Sequence, residues 1–261
     1  AIPVLTVAGN LFEESSDDTW AHLAATVLPD YIANTLWLAV GVGIGTGVIG
    51  VLTAWLVSMC RFPGRRFFEW ALVLPLAVPA YVMAYAYTDF LQFVGPVQTL
   101  LRDLFGWQYG DYWFPEIRSL GGATTMMIFV LYPYVYLLAR AAFLEQSICV
   151  LEASRTLGHS AWRSFFRVAL PLARPAAIAG ISLALMETLA DFGTVSYFGV
   201  QTFTTGIYRA WFSIGDPVTA AQLSSTLLGF VLLLILLERW SRSKRRFHNA
   251  SGRYDRITGL E

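Results

Sequence analysis

Residues 151–175 read LEASRTLGHSAWRSFFRVALPLARP, and the reading of this passage decides what the chain is. It is a long polar stretch between apolar runs, with four arginines: Arg155, Arg163, Arg167 and Arg174. Leu151 to Leu157 is helix-forming, and Gly158 is placed to end that helix in a left-handed turn. Ser160 can cap a second helix, in which Trp162, Phe165, Phe166 and Ala169 recur at helical spacing. Pro171 and Pro175 are expected to stop it before the next apolar run. Two short helices meeting at a glycine make a compact knob outside a bilayer, shaped to fill a groove on a partner. The alternative is an amphipathic helix lying on anionic lipid with its arginines among the headgroups.

The flanking sequence is that of a polytopic membrane protein. It is 56% hydrophobic, 15% aromatic and only 14% charged, outside the range of a water-soluble domain. Cys60 and Cys149 both fall near arginine-rich ends of apolar runs, which argues for reduced thiols over a disulfide or a metal site. His22, His159 and His248 are scattered, without zinc-ligand spacing. The sole lysine, Lys244, lies in SRSKRR, so a phosphate-loop G-x4-G-K-[ST] is excluded and ATP hydrolysis must belong elsewhere. No cofactor and no nucleic-acid partner is expected.

Outward from the central passage, five apolar runs are long enough to cross a bilayer, near 31–57, 67–93, 119–143, 176–200 and 218–239. Residues 1–30 form a polar, acidic N-terminal segment, 94–118 a polar loop, and 241–261 a basic tail. Fifteen of the 18 Lys and Arg residues fall on the side of the 61–66 loop, the 144–175 passage and the tail. Arg102, Arg118 and Arg209 fall on the other. The positive-inside rule then puts the central passage and the tail in the cytoplasm. Residues 1–30, 94–118 and 201–217 go outside. The opening at Ala1, without a signal segment, suggests an internal piece of a longer polypeptide with a further span upstream.

Gly45-x-Gly47-x-x-Gly50 matches a dinucleotide fingerprint in letters only, because no strand precedes it and no βαβ unit follows. Gly41/Gly45 and Gly43/Gly47 instead permit close helix packing in lipid. Pro75 and Pro79 in the second run and Pro133 in the third are expected to bend helices that border a cavity.

Glu187 and Asp191, in ALMETLADFGTV, are four apart and are expected on one helix face at membrane depth. Acids there line a pathway or meet a partner. One reading puts them beside a translocation path for a cation; the other makes them structural hydrogen-bonding groups. Tyr81, Tyr85, Tyr87 and Asp89 lie toward the outer end of the second run, with Tyr132, Tyr134 and Tyr136 in the third. Phenol and carboxylate oxygens suit a hard trivalent cation, while interface-belt packing is the plainer role for most of these tyrosines.

Glu152-Ala153-Ser154, Gly158 and Val168-x-Leu170-Pro171 resemble the EAA loop, E-A-A-x3-G-x9-I-x-L-P, of the permeases of binding-protein-dependent ABC importers. Ser154 stands for the second Ala and Val168 for the Ile. Residues 62–92, 131–143 and 186–212 are similar to the ferric-iron permeases of that class. The resemblance implies an all-α, type I (MetI-like) helical bundle in a bacterial inner membrane, with its permease domain over 31–240. It implies a cytoplasmic ATP-binding subunit pair, a periplasmic solute-binding protein and a second permease unit, fused or separate, as partners. Glu152 to Gly158 would be the helix that docks on the ATPase, and the first half of a fused two-unit permease is the expected relationship. Thiamine, sulfate, molybdate, polyamine and phosphonate permeases share the loop. An intramembrane enzyme using Glu187 and Asp191, or a structural pore protein, would need no such loop.

Overall fold

The computed structural model describes residues 25–108, 110–145 and 160–243, and every regular element among them is helical. α1 (Leu28–Met59) starts with proline in its first turn and ends one turn before Pro63, where the residue preceding proline is pushed out of helical geometry. Gly64, at φ 83°, then turns the chain into α2 (Arg65–Ala71). After a 3-10 turn, Leu74–Ala77, come α3 (Ala80–Leu91) and α4 (Pro96–Phe105). α5 is Leu120–Glu145. α6 runs from Ala161–Ser164 through a π-helical turn, Phe165–Ala169, into Leu170–Ala190. α7 is Gly193–Tyr197. α8 is Phe203–Tyr208, continued by a π-helical turn at Arg209–Ile214, and α9 is Pro217–Ser243.

Among the described residues, α1, α5 and α6 are each long and apolar enough to cross a membrane. The second expected span, 67–93, is not one helix. It breaks between Ala77 and Ala80, and the two pieces are bent by 101°. Val78 is extended because Pro79 follows it, so the two prolines divide the span instead of merely kinking it. The last apolar run is helical over a longer range than expected, but its apolar part is the shorter Pro217–Leu233.

Two further expectations are corrected. Pro171 and Pro175 do not stop the helix beginning near Ser160, which continues to Ala190. A proline clashes with the carbonyl four residues back, which for Pro171 is that of Arg167. That carbonyl lies in the π turn Phe165–Ala169, whose wider ladder accommodates the ring. The run placed at 176–200 likewise ends at Ala190, ten residues early. The 94–118 segment, read as a polar loop, contains α4.

α1, α5 and α6 form the central bundle. The glycines of α1 work as two stripes. A Cβ at Gly41 or Gly45 would lie 2.6 Å from Thr124 Cγ2 or 2.2 Å from Ile128 Cδ1, both on α5. Gly43 and Gly47 instead face Leu185 and Ile181 on α6. The small-residue spacing thus seats α1 against two neighbours at once. Gly180 of α6 approaches the α5 backbone so closely that a Cβ would stand 2.6 Å from Val135 Cα. Thr46 and Thr188, buried in the bundle, donate to carbonyls one turn back at 2.7 and 2.8 Å.

Candidate functional site

Two regions carry the residues singled out in the sequence. The first is the base of the central passage. Glu152, Ala153, Ser154 and Gly158 lie outside the described residues, but both shoulders of that segment are well placed. Phe143 on α5 and Phe165 on α6 are both fully buried and both pack on Trp55 of α1, with ring centroids 5.6 and 5.0 Å away. Aromatic pairs of this kind add about 0.5–1.5 kcal/mol each beyond burial. The triad therefore clamps the chain where it leaves α5 and where it re-enters α6. Ser160 starts the re-entry: its carbonyl accepts the Ser164 amide at 2.9 Å and its hydroxyl faces the Arg163 amide at 3.4 Å. Of the four residues expected on one helical face, Phe165 and Ala169 are buried, whereas Trp162 and Phe166 are exposed and stacked on each other. Leu170 packs on the same core, and Pro171 beside it is half-buried.

The sequence reading missed Glu69, which sits beside this base. Its carboxylate lies 3.5 Å from Arg65 Nε and 3.4 Å from Arg140 Nη2. The Tyr136 hydroxyl donates to the Glu69 carbonyl at 3.2 Å, and Arg65 Nη2 donates to the Ser58 carbonyl at 3.2 Å. Ends of α1, α2 and α5 are thereby tied together. Two signals pointed to it: an acid inside an apolar run needs a partner, and Arg65 and Glu69 have helical i, i+4 spacing.

The second region surrounds Glu187 and Asp191. They do not share a helix face, because α6 ends at Ala190 and Asp191 is extended, with ψ 129°. Asp191 caps α7. Its Oδ1 accepts the Thr194 and Val195 amides at 2.8 and 3.2 Å, and its Oδ2 accepts the Thr194 hydroxyl at 3.0 Å. Its carbonyl accepts the Thr204 hydroxyl at 2.8 Å, which ties α8 to the same corner. Asp216 repeats the device ahead of α9, accepting the Val218 and Thr219 amides at 3.0 and 3.1 Å and the Thr219 hydroxyl at 2.6 Å. The Thr219 hydrogen bond above all holds the Asp216 carboxyl below its ordinary range. The signal for both was the repeated D-x-x-T, Asp191-Phe192-Gly193-Thr194 and Asp216-Pro217-Val218-Thr219, an acid three residues before a threonine at a helix start.

Glu187 has a different setting. It is exposed on α6, with Tyr134 of α5 as its neighbour. Tyr81, Tyr85 and Asp89 are also exposed and lie at i, i+4 and i+8 on one face of α3. Tyr81 abuts Gly193, where an added Cβ would stand 3.0 Å from the Tyr81 Cβ. The Tyr85 ring meets Tyr197 edge-on at 5.9 Å. Tyr81 and Tyr85 are thus brought against the Asp191–Tyr197 corner. Asp89 is not part of that contact; it accepts a hydrogen bond from Gln92 at 3.0 Å at the end of α3. Among the described residues no group of three or more His, Cys, Asp or Glu stands close enough to hold a metal ion.

A bundle of membrane-length helices defines the class, an integral membrane protein. The chain belongs to the family described as "Binding-protein-dependent transport system inner membrane component", whose model matches residues 46–246. It is 29% identical over 226 residues to the Fe(3+)-transport system permease protein FbpB 2 of Haemophilus influenzae, a match that covers 86% of this chain and 40% of that protein. It is 28% identical over 197 residues to the molybdenum transport system permease protein ModB of Escherichia coli K12, covering 73% of this chain and 83% of ModB. In fold it is similar to a chain of a bacterial alginate ABC transporter crystallised with a pentasaccharide-bound periplasmic protein. That match has TM-score 0.76 and 17% identity, and it covers 94% of this chain and 89% of the other. The architecture is therefore the all-α, MetI-like permease fold.

Proposed function

We propose that this chain is the membrane-spanning unit of an ATP-driven importer and that its cargo is ferric iron, delivered by a periplasmic binding protein. The observation that carries the cargo is the similarity to the Fe(3+)-transport permease over 86% of the chain. The exposed Glu187, Tyr81 and Tyr85 support it, since carboxylate and phenol oxygens suit a hard cation and disfavour an oxyanion. In this reading Glu187 borders the path, Asp191 holds the corner behind it, and Asp89 marks the outer approach. Glu152 to Gly158 docks on a cytoplasmic ATP-binding subunit pair. The Trp55–Phe143–Phe165 clamp and the Glu69 ion pairs transmit its movement to α1, α5 and α6. A second permease unit, fused or separate, completes the path. The central passage and the tail face the cytoplasm, as the arginine distribution requires.

The test is ATP hydrolysis by the full-length permease with its ATPase in proteoliposomes. The binding protein is added loaded with Fe(III), empty, or with molybdate in place of iron. Selective stimulation by the iron-loaded form is expected. Stimulation by molybdate alone would keep the importer and replace its cargo with the oxyanion that the ModB similarity suggests. Gly158→Val should abolish co-purification of the ATPase without loss of membrane insertion; retained co-purification would reject the docking role.

A further inference from the structure

α4 is amphipathic in the opposite sense to a helix packed on a protein in water. At 100° per residue, Val97, Leu100, Leu101, Leu104 and Phe105 occupy one arc of roughly 140°. Gln98, Thr99, Arg102 and Asp103 occupy the other. Of the polar arc, Gln98 and Arg102 are turned to the protein, whereas Thr99 and Asp103 at its far edge are exposed. Gln98 is 5% exposed; its Nε2 donates to the Leu91 carbonyl at 2.8 Å and its Oε1 accepts the Tyr112 hydroxyl at 2.7 Å. Arg102 Nη1 donates to the Phe93 carbonyl at 2.8 Å, and its guanidinium lies 4.2 Å from the Phe93 ring centroid. Of the apolar arc, Val97 and Leu101 are half-buried, while Leu100, Leu104 and Phe105 are exposed by 59, 68 and 61%.

We propose that α4 lies in the plane of the bilayer surface, with this apolar arc sunk among the acyl chains, and that it anchors the outer end of the broken second span to lipid. Three observations select lipid as the occupant. The arc carries no charge or hydrogen-bonding side chain. The chain leading into the helix is apolar and exposed too, at Phe90, Phe93 and Val94. Trp107 follows, with its ring stacked between Phe105 at 4.5 Å and Tyr112 at 5.3 Å, in the manner of an interfacial aromatic belt. A helix with a large apolar arc, short of a span and joined to spans at both ends, lies in the interface plane.

The experiment places a cysteine at Leu100, Leu104, Thr99 or Asp103 in turn, with Cys60 and Cys149 replaced by Ser. Each is labelled with an environment-sensitive fluorophore in the full-length permease–ATPase complex in liposomes. Labels at 100 and 104 are expected to emit blue-shifted light that brominated acyl chains quench and aqueous iodide does not. Labels at 99 and 103 are expected to lack bromolipid quenching. Iodide quenching at 100 and 104 would overturn the proposal by showing water there. Blue-shifted emission insensitive to bromolipid would overturn it by showing a protein cover. If the labelled variants do not assemble, the bromolipid-quenched fluorescence lost on Trp107→Phe reads the same interface, and no difference from the parent would refute it.

Discussion

Asp191→Ala separates a structural acid from a cargo-contacting one. The Asp191 carboxylate accepts two backbone amides, those of Thr194 and Val195, and both residues are 0% exposed. Removing the acceptor leaves two buried donors, each costing about 1–3 kcal/mol. Loss of a single helix cap costs about 0.5–2 kcal/mol. The ranges meet near about 2 kcal/mol for the corner as a whole, or roughly thirtyfold in the opening equilibrium of α7. Hydrogen exchange of the 191–200 region, in the assembled transporter in lipid, should therefore quicken by about thirtyfold. Asp191→Asn keeps an oxygen for the amides and an amide group for the Thr194 hydroxyl, so its exchange should stay close to the parent's. Transport should follow the same order, with the Asn variant active and the Ala variant impaired. Unchanged exchange in Asp191→Ala, together with lost transport, would refute the capping argument and return Asp191 to the path. Lost transport in Asp191→Asn with intact exchange would show that its charge acts on the cargo.

Glu187→Gln, on an exposed face, should leave exchange and thermal stability unchanged while lowering iron-driven transport by about tenfold, the weight of one charge-assisted hydrogen bond; unchanged transport would remove Glu187 from the mechanism. Gly180→Ala forces a Cβ to within 2.6 Å of Val135 Cα, and helix backbones have no rotamer with which to yield. It should cost about 1–3 kcal/mol, seen as a lower Tm of the purified complex. Gly229→Ala, with nothing within 4 Å, is the neutral control, and equal Tm values would reject the close-approach argument. Asp216 has its folded-state pKa lowered from 3.8, so its capping stability is present above that value and lost as pH falls through the folded pKa. As pH falls below 3.8 and through that lowered pKa, exchange at the start of α9 should accelerate in the parent more than in Asp216→Asn. Parallel profiles would contradict that role.

Composition and the span-length runs fixed a helical membrane bundle without any coordinates, because lipid leaves the backbone almost no other way to satisfy its polar groups. The 151–175 passage pointed to the importer-permease class, and the family match over residues 46–246 agrees with it. The glycine stripes of α1 were legible as packing. Which stripe meets which neighbour was not, because that depends on where α5 and α6 return. Proline is ambiguous in one dimension. Pro75 and Pro79 break their span, whereas Pro133 and Pro175 are absorbed within helices. Only the surrounding packing and the π turn decide between these outcomes. Asp191 looked like half of an acid pair at i, i+4 and proved to be a cap, because a helix that ends one residue earlier turns its carboxylate to the next helix. Glu69 found Arg140, 71 residues away in the chain. The facing of α4 depends on Tyr112 and the Leu91 carbonyl drawing Gln98 inward. Sequence settled what local spacing and solvent chemistry dictate, and tertiary structure settled each question whose answer is a partner distant in the chain.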